Sequence, residues 1–326
     1  MSQKTKDETK TKIKSKDAAK PAAKPMIRVH HLPAIKAGKY ADGLPYDEIR
    51  YLECKLILKP NHFSSRQTLF DFAKVLRRPA KATGVYFDPV TFTERPLAIR
   101  EVLFVDTHDF RLYNNAFILR RRIPYQDGFP IGVPEIVFKY RHSDPQTTAA
   151  MDMRPHINGD YRIKFKAEAL PLKDGLGGMR MLYSHNVEFH LESAIMSDRM
   201  SMERIAQALP ALQCIPWEKN ERAELVGGTI VEEVLQDIGV LDFGNRMSAM
   251  CNVALWRNRG DHAPLIGEFA FQLKFRRREE LTDEALGRCE AFFLALQAEA
   301  RDWIQLGATK TGVVYRLKGN PPHAHE

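Results

Sequence analysis

Residues 104–123 read FVDTHDFRLYNNAFILRRRI, and this stretch decides how the chain folds. Its pattern is strand, short polar loop, strand. The first strand ends at Asp106-Thr107, and the loop over 108–115 carries the turn formers Asp109, Asn114 and Asn115. In a second strand over 116–123, side chains alternate. Arg120 and Arg122 then share one face, and Leu119, Arg121 and Ile123 share the other. A guanidinium is a rigid, permanently charged fork of donors, so two on one strand face suit a phosphate-rich ligand. The same pair also fits a strand face turned to water.

The alternation spreads outward from this hairpin. Residues 49–58 (IRYLECKLIL) read as a strand with Tyr51, Glu53, Lys55 and Ile57 on one face and Leu52, Cys54, Leu56 and Leu58 on the other. Residues 134–141 (PEIVFKYR) put Lys139 and Arg141 together. Residues 161–169 (YRIKFKAEA) set Arg162, Lys164, Lys166 and Glu168 against Ile163, Phe165, Ala167 and Ala169. Residues 183–192 place Asn186, Glu188, His190 and Glu192 on a polar face, and 267–276 (GEFAFQLKFR) place Glu268, Gln272 and Lys274 on one. Residues 246–258 and the closing GATKTGVVYRL, with Lys310 and Tyr315, also read as strands. Helices are expected over 64–78, where Leu69, Phe72, Val75 and Leu76 make an apolar stripe, and over 282–304 behind the N-cap Thr282. Short helices are expected over 200–209 and 229–238, and a loop over 143–160.

These elements imply an α+β fold: an eight-stranded antiparallel β-barrel with helices packed outside. Two arrangements share the same period. Either the charges face water around an apolar interior, or they line a closed bore while the apolar rows support outer helices. The charged positions are mostly positive: Lys55, Arg120, Arg122, Lys139, Arg141, Arg162, Lys164, Lys166 and Lys274.

Composition narrows the class. The 326 residues are 44% apolar and 28% charged, enough for a sizeable core. The net charge is +8, but the first 25 residues carry +5 of it, leaving +3 for the remainder. The basic balance is therefore largely that of residues 1–25, a Lys/Ala/Pro/Thr-rich stretch read as disordered. The ordered domain is expected over 26–318, with a flexible end at 319–326. No apolar h-region of a secretory signal and no long apolar run occurs, so a cytoplasmic protein without membrane spans is expected. Cys54, Cys214, Cys251 and Cys289 form no CxxC pair and read as reduced core residues. The body carries no nucleic-acid-binding motif.

Taken in order, these segments resemble the CYTH proteins, also called triphosphate tunnel metalloenzymes. YLECKLIL is similar to the family's N-terminal strand with alternating Glu and Lys. FVDTHDFRLYNNAFILRRRI is close to its Tyr-x-Asp-Thr … Leu-Arg-x-Arg segment. EIVFKYR, RIKFKAEA, GEFAFQLKF and TKTGVVYRL resemble later strands, so the likeness spans about 49–317. It implies a tunnel in which basic residues hold a triphosphate and carboxylates hold Mg²⁺ or Mn²⁺. The implied activity is metal-dependent hydrolysis of inorganic tripolyphosphate or of a nucleoside or thiamine triphosphate. The alternatives are a module that binds triphosphate or polyphosphate with reduced turnover, or an adenylate cyclase. The partner is then a small polyanion, and the protein is a monomer or homodimer.

Carried over by position, Lys55, Arg120 and Arg122 are the expected catalytic groups. Lys139, Arg141, Arg162, Lys164, Lys274 and Lys310 join them in holding phosphates, and Glu53, Glu168 and Glu268 are the expected metal ligands, with Glu188 or Glu192 able to add to them. The chain departs from the pattern where acids are expected. Tyr51 stands two residues before Glu53, Lys166 two before Glu168, and Ala270 and Gln272 follow Glu268. Hard divalent cations want several oxygen ligands, so the acidic wall is thin.

Overall fold

A computed structural model of the chain describes residues 35–91, 93–190, 200–319 and 321. The expectations for residues 1–25, for Glu192 and for most of 319–326 lie outside these. In chain order the strands are β1 Tyr51–Leu58, β2 Tyr86–Pro89, β3 Ala98–Asp106, β4 Phe117–Gln126, β5 Phe129–Pro130 and β6 Glu135–His142. They continue with β7 Tyr161–Pro171, β8 Met179–His190, β9 Glu224–Leu225, β10 Val231–Asp242, β11 Ser248–Asn258 and β12 Pro264–Lys274. The helices are α1 Arg66–Thr83, α2 Arg111–Asn114, α3 Pro145–Ala150, α4 Met202–Ala208, α5 Asp283–Glu299 and α6 Lys310–Tyr315.

Nine strands close into a barrel in the order β10-β11-β12-β1-β7-β8-β6-β4-β3, and β3 pairs back to β10. Every neighbour in this ring is antiparallel except β1 and β7, which run parallel. The expected barrel with outer helices is therefore present, with one strand more than expected and one parallel seam. The parallel seam sets Tyr51 beside Lys166 and Glu53 beside Glu168.

The apolar rows face outward. Leu52, Cys54, Leu56 and Leu58 of β1 join Phe269, Phe271 and Leu273 of β12 in a cluster with Leu69, Phe72 and Leu76 of α1 and Leu286, Phe292 and Phe293 of α5. Ring contacts lock this layer, with Phe72 and Phe269 centroids 5.2 Å apart. A second cluster covers Leu119, Phe138, Val187 and Phe189 with Met202 and Ile205 of α4. Burying two apolar faces between sheet and helix leaves the other strand face inside the barrel, which is where the charges go.

The helices start where their sequences allow. The Ser65 hydroxyl accepts from the Thr68 amide, and the Thr68 hydroxyl accepts from the Ser65 amide, at the head of α1. Gly84 ends α1 at φ 68°, a left-handed conformation that glycine adopts without strain. Thr282 caps α5 by accepting from the Ala285 amide. Several expectations differ. The expected loop over 143–160 holds the short helix α3, capped by the Asp144 carboxylate accepting from the Thr147 amide. Residues 231–242 form a strand rather than a helix. A register shift between Asp237 and Gly239 breaks the two-residue alternation, so Val234, Ile238 and Leu241 reach the outer cluster at helical spacing, while Val231 faces the other way. Residues 310–315 form a short helix rather than a closing strand, capped by the Thr309 hydroxyl accepting from the Gly312 amide. Cys214 is exposed, whereas Cys54, Cys251 and Cys289 are buried as expected.

Helix α6 floors one end of the barrel. Val314 and Tyr315 pack with Ile57, Phe104, Ile118 and Trp256 in a third apolar cluster. Asp106 ties this floor to the loop of the opening hairpin. Its fully buried carboxylate accepts from the amides of Thr107 at 2.7 Å, Leu112 at 2.8 Å and Tyr113 at 2.9 Å, and from the Tyr315 hydroxyl at 3.1 Å. Each buried donor orphaned by its loss costs about 1–3 kcal/mol. Asp106→Ala is therefore expected to lower unfolding free energy by about 3 kcal/mol or more. A urea titration checks this, and an unchanged midpoint would contradict the tie.

Candidate functional site

The inward strand faces enclose a cavity of about 400 Å³, a size suited to a small molecule. Among the described residues ten basic and six acidic side chains line it, so its wall is positive. They arrive by simple alternation: Glu53 and Lys55 from β1, Arg120 and Arg122 from β4, Lys139 and Arg141 from β6. Arg162, Lys164, Lys166 and Glu168 come from β7, Glu188 from β8, Glu233 from β10, Glu268 from β12, and Lys310 from the first turn of α6. Ile57, Ile118 and Trp256 belong both to the lining and to the apolar floor.

Glu168 is the hub of the acidic side. Its oxygens lie 3.0 Å from Lys55 Nζ, 3.0 Å from Lys139 Nζ and 3.6 Å from an Arg141 nitrogen, and it accepts from the Ser184 hydroxyl at 2.5 Å. Burial alone would raise its pKa, but Lys139, Lys55 and Arg141 outweigh burial and hold it well below the usual carboxylate range. Lys139 bears the other half of this sharing. Burial, and then repulsion from Arg141, Lys55 and Lys166, drive its pKa well below that of an ordinary lysine despite Glu168. Lys55 is better served. Burial works against its charge, but Glu168, Glu53 and Glu268 together raise its pKa.

The other acids are paired as well. Glu53 lies 2.9 Å from Lys55 Nζ and 3.5 Å from Lys166 Nζ; burial opposes its ionisation, yet Lys166 and Lys55 bring its pKa down to about 2. Glu188 takes Arg162 at 2.6 Å and Lys164 at 2.7 Å, and Glu135 takes Arg122. Glu233 pairs with Arg100 and with Lys310 at 3.2 Å and accepts from the Trp256 indole at 2.7 Å. Glu268 takes Lys310 at 2.7 Å.

Arg120 stands apart. Among the described residues it makes no ion pair, and its Nε is sealed from solvent with no hydrogen-bond partner. Burial, then the neighbouring Arg122 and Arg100, push its pKa down to about 9. A desolvated cation without an anion is costly, so this position calls for a negative ligand. The Nε atoms of Arg122 and Arg141 are likewise buried and without partners.

A divalent ion does not suit this donor set. Among the described residues no three His, Cys, Asp or Glu side chains gather as a metal site. Glu53, Glu168 and Glu268 each hold an ammonium group where a metal would have to sit. At two of the departures from the family pattern a cation meets an aromatic ring instead: Lys166 Nζ lies 5.9 Å from the centre of the Tyr51 ring.

The bore brings together Lys55, Arg120, Arg122, Lys139, Arg141, Arg162, Lys164, Lys310, Glu53, Glu168 and Glu268. It does not include Lys274, which is exposed at the end of β12, opposite Tyr51. Arg100, Glu135 and Glu233 line it without having been singled out. Arg100 was hidden among Ala98, Val102 and Phe104, and Glu233 lay in a segment read as helical.

No family model and no curated protein matches the sequence. Solved structures with similar chains include a candidate adenylyl cyclase from Hippeastrum, described as having dominant triphosphatase activity. It is 13% identical over 85% of this chain and 100% of that one, with TM-score 0.35. A Pyrococcus horikoshii protein is 10% identical over 80% and 96%, with TM-score 0.30. A candidate adenylate cyclase from Bacillus halodurans is 12% identical over 81% and 95%, with TM-score 0.36.

If the bore takes a polyanion, the lowered pKa of Lys139 makes that binding sensitive to pH. A bound anion would raise that pKa, so binding takes up a proton once the free lysine has begun to lose its own. Affinity for tripolyphosphate is expected to fall as pH rises, beginning below the range in which an ordinary lysine titrates. Calorimetry over a series of pH values checks it, and Lys139→Arg is expected to flatten the slope. An equal slope in both proteins would contradict the role given to Lys139.

Proposed function

We propose that the bore binds the triphosphate group of a small molecule or a short polyphosphate chain. The observation that carries this reading is Arg120, a guanidinium held in the bore with no anion of its own, in a wall where cations outnumber carboxylates. The ligand must be a compact, multiply charged anion, because the basic groups approach from β1, β4, β6 and β7 around a narrow space. Phosphate oxygens accept from guanidinium forks and ammonium groups alike. The site residues expected from the sequence keep their phosphate-binding roles here, except for Lys274.

Hydrolysis of the bound chain is a second reading of the same bore. Fixed positive groups on several walls would stabilise charge developing on phosphate oxygens, and a closed barrel limits competing water. The Mg²⁺ or Mn²⁺ dependence implied by the family resemblance would require the lysines to release Glu53 and Glu168. Phosphate release from tripolyphosphate, measured with each ion and in EDTA, separates turnover from binding alone.

Substitution at Arg120 gives opposite effects on affinity and stability. Arg120→Met removes the unpaired cation, so its unfolding temperature is expected to equal or exceed that of the natural protein. The same change removes charge-assisted contacts worth about 2–3 kcal/mol, which is roughly a 30- to 150-fold loss of tripolyphosphate affinity. Calorimetric titration and thermal unfolding read the two effects. Unchanged affinity, or no binding to the natural protein at millimolar ligand, would overturn the reading.

A further inference from the structure

All six acids of the bore already hold a cation. Glu53, Glu135, Glu168, Glu188, Glu233 and Glu268 each have a lysine or arginine nitrogen within ion-pair distance. We infer that the bore takes its polyanion free of any divalent metal, with fixed ammonium groups supplying the charge that a bound cation would otherwise bring. The inference rests on the phosphate-binding reading above and concerns the form in which the ligand binds.

The positions of two lysines carry it. Lys166 Nζ lies 3.5 Å from the Glu53 carboxylate and 5.9 Å from the centre of the Tyr51 ring. Lys310 Nζ sits 2.7 Å from Glu268, 3.2 Å from Glu233 and 4.8 Å from the centre of the Trp256 ring. An aromatic face and a carboxylate, both in reach, hold an ammonium group in place. A hydrated Mg²⁺ seeking Glu168 would meet Lys55, Lys139 and Arg141 at contact distance. Displacing them would leave buried cations unpaired, which is strongly unfavourable. A polyphosphate carrying Mg²⁺ also brings less negative charge to a wall whose surplus is positive.

The test is a pair of calorimetric titrations of the full chain with tripolyphosphate, one in EDTA and one with excess Mg²⁺. Binding in EDTA, with affinity unchanged or reduced by Mg²⁺, is the expected result. Affinity at least tenfold higher with Mg²⁺, or binding only with Mg²⁺, would overturn the inference while leaving the phosphate-binding reading intact. No binding in either titration would overturn both. A third titration uses Lys166→Glu, which removes a cation and adds a carboxylate beside Glu53 and Glu168. In that variant Mg²⁺ is expected to strengthen binding; if it instead weakens binding as much as in the natural protein, Lys166 is not what excludes the metal. Should the variant fail to fold, the first two titrations decide alone. Mn²⁺ titrated into the ligand-free natural protein, followed by electron paramagnetic resonance, is expected to stay unbound at micromolar concentration, and stoichiometric uptake would equally overturn the inference.

Discussion

One carboxylate, Glu168, stands between Lys55, Lys139 and Arg141, and a single negative charge cannot balance three positive ones. Taken as a whole, the lining shares this surplus of basic over acidic groups among the described residues. Among the described residues each acid of the bore is claimed by one to three cations, and Arg120 forms no ion pair. In a site partly removed from water, such unmet charge is strongly unfavourable. The fold holds it there because the outer apolar layers stabilise the barrel independently of its lining. Strand faces rich in Leu and Phe pack under α1, α4 and α5, and this burial fixes the inward direction of every intervening side chain. Positive charge is thereby stored where a polyanion can neutralise it.

The parallel seam between β1 and β7 gives the site its particular character. Side-by-side register places Glu53 next to Glu168 and Tyr51 next to Lys166. Two acids on neighbouring strands would ordinarily repel each other, and like charges in contact are destabilising. Lys55 sits against both at 2.9 Å and 3.0 Å and relieves that repulsion, while Lys166 adds a second cation to Glu53. The acidic side of the bore is thus held together by lysines.

Much of this was legible in the chain. A two-residue alternation of Arg or Lys against Leu, Phe or Ile marked β1, β4, β6, β7 and β12. It also identified eleven of the charged groups that meet in the bore. Alternation alone could not say which face turned inward, because a strand buried on either face has the same period. The packing supplies the answer: the apolar rows lie under α1, α4 and α5, which turns the charged rows into the bore. The failures have local causes. A bulge near Gly239 gave β10 a helical spacing and concealed Glu233. The capping of Thr309 turned an apparent strand into α6, which changed Lys310 from a strand residue to one delivered by a helix at the floor. Lys274 follows the alternation but comes at the end of β12, where the strand leaves the bore.

The central claim is that the surplus charge at Arg120 exists to meet phosphate inside the barrel. A crystal structure of the chain grown with tripolyphosphate tests it most directly. The account predicts phosphate density in the bore, with an oxygen within about 3 Å of Arg120 and others shared among Lys55, Lys139 and Arg141. A bore free of phosphate at saturating ligand, with Arg120 turned to one of the six carboxylates, would contradict it.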